Sequence, residues 1–124
     1  LIEACNRVTL PYHLDAFKQA AGIAALGYEM EMRERVSRLV EQRGRIERGL
    51  AELGAETWHS DANFVLFRAP GREAKEIWEG LLRHSVLIRD VSGFSGLEGC
   101  MRVSVGTEYE CGRFLQGLAE VLSS

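Results

Sequence analysis

The spacing of apolar residues changes from a helical period to a strand period at Gly54, and this change constrains the fold more than any other feature of the sequence. Between Glu29 and Leu53 apolar residues recur every three or four positions, which predicts one long amphipathic helix. The predicted stripe, which we expect to be core, is formed by Met32, Val36, Leu39, Ile46, Leu50 and Leu53, with Val40 beside them. Gly54 suits the conformation that ends a helix. The apolar run within Ala62–Arg68 then predicts a strand, so the fold combines helix and sheet.

The rest of the chain predicts further elements on both sides of this change. Helices are expected over Ala16–Leu26, over Arg72–His84 and after a Thr107–Glu110 capping box, and short strands over Ala55–His59, Val86–Asp90 and Cys100–Val105. Asp15 is a good N-cap for the first of these helices. The order of elements predicts an α+β fold, in which helices pack on one face of a small, mostly antiparallel sheet.

Composition excludes several classes of protein. The chain has 124 residues, enough for one domain with its own core, and its formal net charge of -3 argues against a nucleic-acid-binding protein. No apolar run is long enough for a membrane span. The cysteines Cys5, Cys100 and Cys111 lack the spacing of a zinc site or a disulfide framework, which predicts reduced thiols, no metal and a cytoplasmic location. The chain starts without Met or a signal peptide, so we expect it to be cut from a longer protein.

Arg102 is a charged residue inside an otherwise apolar predicted strand. Alternation along the strand places it on the face opposite Met101, Val103 and Val105. A charge in such a setting is costly unless it is paired, and a guanidinium can hold a carboxylate or phosphate with two parallel hydrogen bonds. The alternatives are an ion pair with an acidic residue of the chain, or a side chain that points into solvent.

Arg89 repeats this pattern at the end of the Val86–Asp90 strand. Its alternative is an ion pair with a neighbour. Two arginines on strands that flank the Gly/Ser-rich loop Ser92–Gly99 can, however, converge on one dianion. The pattern alone leaves both interpretations of Arg102 and Arg89 open: a structural arginine, or a residue that binds an anionic ligand.

No residue of the chain is a strong candidate for catalysis. Lys18 and Lys75 lie on predicted helices without the buried setting that lowers the pKa of a lysine for Schiff-base chemistry. His13, His59 and His84 are far apart, and nothing orients a Cys–His pair.

Several segments, taken in order, resemble the C-terminal small domain of the histidinol-phosphate aminotransferases, which are fold-type-I enzymes dependent on pyridoxal phosphate (PLP). The segments that carry the resemblance are Leu10-Pro11-Tyr12-His13-Leu14 followed by Gln19-Ala20-Ala21, Ser60–Arg68, Val86–Asp90 and Gly99–Thr107. Together they extend over nearly the whole chain.

This resemblance implies a function and a division into parts. The family transfers an amino group from L-histidinol phosphate to 2-oxoglutarate, a step of histidine biosynthesis. The residue that matches Arg102 would grip the phosphate or carboxylate of the substrate, and the one that matches Arg89 would be a second phosphate contact. Residues 1–28 would lead into the small domain, residues 29–124 would form it, and the catalytic lysine and the PLP-binding groups would lie in a large domain outside this chain. The full-length enzyme would be a homodimer, and this chain alone is expected to bind no PLP and to be inactive.

Three other functions remain open. The first is a free-standing α+β regulatory module that binds a small anion. The second is a domain of a related phosphothreonine decarboxylase or of another aminotransferase of the same subgroup, and the third is a purely structural or dimerisation domain. A domain that normally packs against a large domain should expose apolar residues, most of all in the Leu10–Leu14 loop and around Phe94. A complete module should not.

Overall fold

The computed structural model describes residues 2–8, 14–69 and 71–124. The helices in these ranges are α1 (Ile2–Val8), α2 (Ala16–Ala25), α3 (Glu29–Glu52), α4 (Ala74–Arg83) and α5 (Glu108–Ser123), with a 3-10 turn at Leu26–Tyr28. The strands are β1 (Glu56–Thr57), β2 (Phe64–Arg68), β3 (Arg89–Asp90) and β4 (Met101–Ser104). The Leu10–Leu14 loop, for which exposed apolar residues were predicted, lies outside the described residues except for Leu14, which is 61% exposed.

The chain divides into two compact units, one that ends at Arg35 and a second, Val36–Ser124. None of the described residues of the first unit is buried. The predicted core stripe of α3 is correspondingly wrong in its first half: Met32, Val36 and Val40 are 51%, 50% and 47% exposed, whereas Ile46 is fully buried. Helical periodicity identifies an apolar face but does not tell what covers it.

Three predicted helix caps are confirmed, although α2 and α4 are shorter than the predicted Ala16–Leu26 and Arg72–His84. The Asp15 side chain accepts a hydrogen bond from the Lys18 N–H at the start of α2. Thr107 and Glu110 form the predicted capping box of α5. Gly54, at a φ of 74°, ends α3 in a Schellman motif, in which its N–H bonds the Ala51 carbonyl and the next N–H bonds the Leu50 carbonyl.

The four strands form one antiparallel sheet in the order β1-β2-β4-β3. The last strand before the loop is shorter than predicted, because only Arg89 and Asp90 pair with β4. The segment before them is used to end α4: the Val86 N–H bonds the Leu81 carbonyl, and Ser85 takes a left-handed φ of 58°.

Helices α4 and α5 and the second half of α3 cover one face of this sheet. The core is formed by Val65, Phe67, Met101 and Val103 from the strands and by Ile46, Leu50, Ile77, Leu81, Phe114 and Leu118 from the helices. The rings of Phe67 and Phe114 meet edge to face, with centroids 5.7 Å apart. Each large side chain buried in this way contributes about 1.5–3 kcal/mol to folding, so this face holds the sheet together. The predicted α+β fold is confirmed.

Within the described ranges, no helix has the length and apolar character that crossing a membrane requires.

The face of the sheet opposite the helices carries the arginines that the sequence singled out.

Candidate anion-binding site

Arg102 lies on β4, which has a strand on either side. Its neighbours Met101 and Val103 are buried against the helices, so its side chain lies on the opposite face, as predicted. The side chain is half-buried, and its Nε atom is buried with no hydrogen-bond partner in the described part of the protein. A buried donor without an acceptor is costly. The contacts of Arg102 with its own chain therefore leave hydrogen-bonding capacity unused.

Arg89 lies directly opposite Arg102 in the pairing of β3 with β4. Residues directly opposite each other in an antiparallel pair project to the same face, with Cβ atoms about 4.5–5.5 Å apart. The sheet thus places both predicted arginines side by side. Two like charges in this position destabilise the pairing unless an anion lies between them.

The acidic residues near this pair have other partners. Asp90 accepts a hydrogen bond from the Ser92 N–H at 2.8 Å. Glu98 accepts one from the Gly96 N–H at 3.0 Å, and this bond lowers the pKa of the Glu98 carboxyl. Among the residues that the structure describes, neither Arg89 nor Arg102 has an ion pair, so the alternative of an internal salt bridge is not realised for either.

The Arg102 guanidinium lies over the aromatic ring of Phe64. The Arg102 Cζ atom lies 4.8 Å from the centroid of the Phe64 ring, within the range of a cation–π interaction. The two residues are diagonal neighbours, since Phe64 pairs with Ser104 and Leu66 pairs with Arg102. Sequence reasoning missed Phe64, because the register of β2 and β4 that brings it next to Arg102 is not visible in the sequence.

Arg68 lies on the same face and provides a contrast. Its Nε donates to Glu56 at 3.1 Å, and this hydrogen bond raises the pKa of the Arg68 guanidinium. Its Cζ atom also lies 5.6 Å from the centroid of the Trp58 ring. Both arginines thus contact an aromatic ring, but only Arg68 has a carboxylate as well.

An open groove of about 660 Å³ borders Arg89 on its other side. It is lined by Lys75, Trp78, Leu87, Ile88, Arg89 and Asp90. The Trp78 Nε1 donates to the Ile88 carbonyl at 3.1 Å, which ties α4 to the segment that leads into β3. Lys75 and Arg89 thus border the same groove, whereas Arg102 is not part of its lining.

The two lysines do not fit a covalent cofactor site. The Lys18 Nζ lies 2.8 Å from the Asp15 carboxylate and the Lys75 Nζ lies 4.0 Å from that of Glu79, and both side chains are mostly exposed. A Schiff-base lysine needs a setting that lowers its pKa, such as burial or a neighbouring cation. An exposed ammonium beside a carboxylate provides neither.

The other candidates for chemistry are separate from this site. The Cys100 and Cys111 thiols are buried, and burial raises the pKa of Cys100. His59 pairs with Asp61 and His84 with Glu120, while His13 lies outside the described residues. No three potential metal ligands come together within the described ranges.

The family model for class I and II aminotransferases matches residues 1–118 of the chain. A histidinol-phosphate aminotransferase of Anaeromyxobacter sp. (strain Fw109-5) is 37% identical over 124 residues, which are 100% of this chain and 34% of the relative. Histidinol-phosphate aminotransferase 3 of Burkholderia lata is 42% identical over 99% of this chain and 32% of its own length. The chain thus spans about a third of the length of the curated relatives it matches.

A solved structure agrees with these sequence matches. Histidinol-phosphate aminotransferase from Sinorhizobium meliloti in complex with pyridoxal-5'-phosphate superposes with a TM-score of 0.79 at 27% identity, over 98% of this chain and 33% of that one. Both the sequence match and the shared fold extend over nearly all of the chain, which therefore belongs to the class I and II aminotransferase family.

Proposed function

We propose that this chain is the C-terminal small domain of a cytoplasmic, PLP-dependent histidinol-phosphate aminotransferase. In this proposal residues 1–28 lead into the domain and residues 29–124 form it. The full-length enzyme, a homodimer, converts L-histidinol phosphate and 2-oxoglutarate to imidazole acetol phosphate and L-glutamate. Arg102 and Arg89 bind the anionic group of the substrate.

The observation that carries this proposal is the arginine pair itself. Arg89 and Arg102 are directly opposite on one face of the sheet, and neither has an ion pair in the described residues. A phosphate has enough oxygens to accept hydrogen bonds from both guanidinium groups at once, and a carboxylate offers two coplanar oxygens to one of them. The pair can therefore accept the phosphate of one substrate and the carboxylate of the other in alternate half-reactions.

The cofactor belongs to a part of the enzyme outside this chain in our proposal, because neither Lys18 nor Lys75 fits a Schiff-base site. The electron sink for amino-group transfer is supplied by PLP when it is bound. Arg89 and Arg102 bind and orient the substrate, and the domain that carries them excludes water by closing over it.

Exposed apolar side chains support the existence of such a second part. Phe94, which the sequence singled out, is 58% exposed. Further apolar residues exposed by more than half include Ile2, Phe17, Ile23, Leu26 and Met30. Such residues suit a domain that packs against another one better than a self-contained regulatory module.

The test uses the complete product of the gene that encodes this chain, purified with PLP. We expect an absorbance change of the cofactor on addition of L-histidinol phosphate, and formation of L-glutamate when 2-oxoglutarate follows. Arg89→Gln and Arg102→Gln should each lower kcat/KM for L-histidinol phosphate on the order of 10- to 100-fold, because a hydrogen bond to a charged group contributes about 1.5–3 kcal/mol. Arg68→Gln is the matched control, since Arg68 lies on the same face but is paired with Glu56, and it should leave kcat/KM nearly unchanged.

Other outcomes would redirect the assignment. Release of carbon dioxide from O-phospho-L-threonine, without transamination of L-histidinol phosphate, would point to the decarboxylase. A gene product that takes up no PLP but binds phosphate compounds would point to the anion-binding module. If Arg68→Gln lowered kcat/KM as much as Arg102→Gln does, the arginine pair would have no specific role in substrate binding.

A further inference from the structure

We infer that Phe64 is the positioning residue of the anion site: its ring holds the Arg102 guanidinium in the orientation that binds the ligand, without using the charge or the donors that the ligand needs. This inference rests on the proposed role of Arg102. It concerns how the guanidinium is oriented before the anion arrives.

Arg102 needs such a support because its usual partners are lacking. A charged side chain that is partly buried is costly unless it is paired, and even the more exposed Arg68 on the same face is paired with Glu56. Arg102 has no ion pair in the described part of the chain, and its Nε atom is buried without an acceptor. A free arginine side chain has about 2 kcal/mol of rotamer entropy, part of which would be lost on binding an anion. A contact that orders the side chain beforehand reduces that loss.

The ring of Phe64 is the one aromatic ring found within cation–π range of Arg102 among the described residues, with Cζ 4.8 Å from the ring centroid. The backbone that carries the ring is held by two hydrogen bonds. The Val105 N–H donates to the Asn63 carbonyl at 2.8 Å, and the Ser60 hydroxyl donates to the Phe64 carbonyl at 2.5 Å. Phe64 is therefore fixed at the start of β2, next to the central strand that carries Arg102.

The chemistry of the contact explains why a ring suits this position better than an acid. A ring face attracts a cation through its quadrupole and accepts none of the conventional in-plane hydrogen bonds of the guanidinium. The full positive charge and the outward N–H donors of Arg102 remain available to a phosphate or carboxylate. A carboxylate partner would hold the arginine equally well but would compete with the ligand for the same donors.

The experiment uses the complete product of the gene that encodes this chain, with ¹⁵N-labelled arginine side chains observed by NMR and titrated with inorganic phosphate. The shape of the ring is preserved by replacing Phe64 with phenylalanine analogues that carry one, two or three fluorine atoms, which weaken the quadrupole stepwise. Phe64→Leu removes the ring altogether. The matched control is Trp58→Leu, which removes the ring under Arg68, an arginine that Glu56 also holds.

The unsubstituted chain should show an Arg102 Nε–H signal that is shifted upfield by the ring and protected from exchange, and that moves on addition of phosphate. Each added fluorine should reduce the protection, and the complete series should weaken phosphate binding about two- to fivefold, the range expected for an exposed cation–π contact. Trp58→Leu should change neither.

An Arg102 Nε–H signal that is insensitive to fluorination, or that responds equally to Trp58→Leu, would overturn the inference, because a merely steric role of the ring is unaffected by its quadrupole. If phosphate did not bind the complete, unsubstituted protein at all, the proposed anion-binding role of Arg102 would fail. The Nε–H signal would still decide whether Phe64 orders the guanidinium, so the two failures are distinguishable.

Discussion

The direct opposition of Arg89 and Arg102 leads to a prediction about stability that is independent of enzyme activity. Without an anion the two charges repel across the β3–β4 pair, so replacing either arginine with Gln should relieve strain in the fold. With phosphate bound between them, the same two residues should stabilise each other. The coupling free energy between Arg89 and Arg102 should therefore change sign when phosphate is added.

The expected magnitudes follow from the position of the pair. Directly opposite charges on one face of an antiparallel pair interact by about 0.2–1 kcal/mol, and exposure of Arg89 places this pair toward the lower end. A ligand present at ten times its dissociation constant raises the free energy of unfolding by RT ln 11, about 1.4 kcal/mol. Binding that needs both arginines thus exceeds the repulsion and reverses its sign.

The assay is a double-mutant cycle. The free energy of unfolding is measured by urea denaturation for the unsubstituted chain, Arg89→Gln, Arg102→Gln and the double variant. The contact of Arg102 with Phe64 is lost whether Arg102 is replaced alone or together with Arg89, so its contribution cancels in the coupling free energy. Each set is measured in dilute buffer, in phosphate and in sodium chloride of the same ionic strength.

We expect the coupling to be unfavourable in dilute buffer, near zero in chloride, which screens the charges, and favourable in phosphate. Identical coupling in chloride and phosphate would show that only screening is at work and would refute the idea of a shared anion. Coupling that is favourable in dilute buffer would mean that the two guanidinium groups do not repel, and the argument from their register would be wrong.

Three further predictions concern the scaffold. Ser85→Gly should raise the free energy of unfolding by about 0.5–1 kcal/mol, since Ser85 has a left-handed φ of 58°; a lower midpoint in urea would contradict this. Gly80→Ala should lower it by about 1–3 kcal/mol, because the new methyl would lie 2.7 Å from a Val121 methyl, and adding Val121→Ala should recover part of the loss in thermal unfolding. The Thr107 N–H and hydroxyl lower the pKa of Glu110, so the contribution of this carboxylate is present at neutral pH and is lost as pH falls below its ordinary value. The stability advantage of the unsubstituted chain over Glu110→Gln should accordingly shrink between pH 5 and pH 3, and a gap that does not change with pH would oppose this assignment.

The elements of the fold were predictable from the sequence wherever their cause is local. The capping box of Thr107 and Glu110 and the glycine that ends α3 depend on residues within a few positions of one another, and both are present. The prediction that Val86–Asp90 is a strand failed in its first part because the end of α4 uses the Val86 N–H. Competition between two neighbouring elements for one donor is not visible in a pattern of apolar residues.

The candidate site was predictable in its residues but not in its arrangement. An arginine in an apolar strand is unusual enough to identify Arg102 from sequence alone. Its opposition to Arg89 and its contact with Phe64 depend on the register of β4 with two other strands, and register is set by packing between segments that are 13 to 38 positions apart in the chain. The exposure of Met32 and Val36 was likewise not predictable, because the apolar periodicity of a helix is the same whether or not another element packs on its apolar face.

One face of the sheet contributes to the stability of the fold, and the other face carries the proposed binding residues. Strand alternation puts Val65, Phe67 and Met101 against the helices, where truncation to alanine leaves a cavity and costs several kcal/mol. The same alternation puts Phe64 and Arg102 on the other face, where they add little to the core. Substitutions at those two positions can therefore change affinity for an anion while the sheet stays folded. A repulsive arginine pair is tolerable in this fold because the opposite face of the same strands supplies the free energy that keeps it assembled.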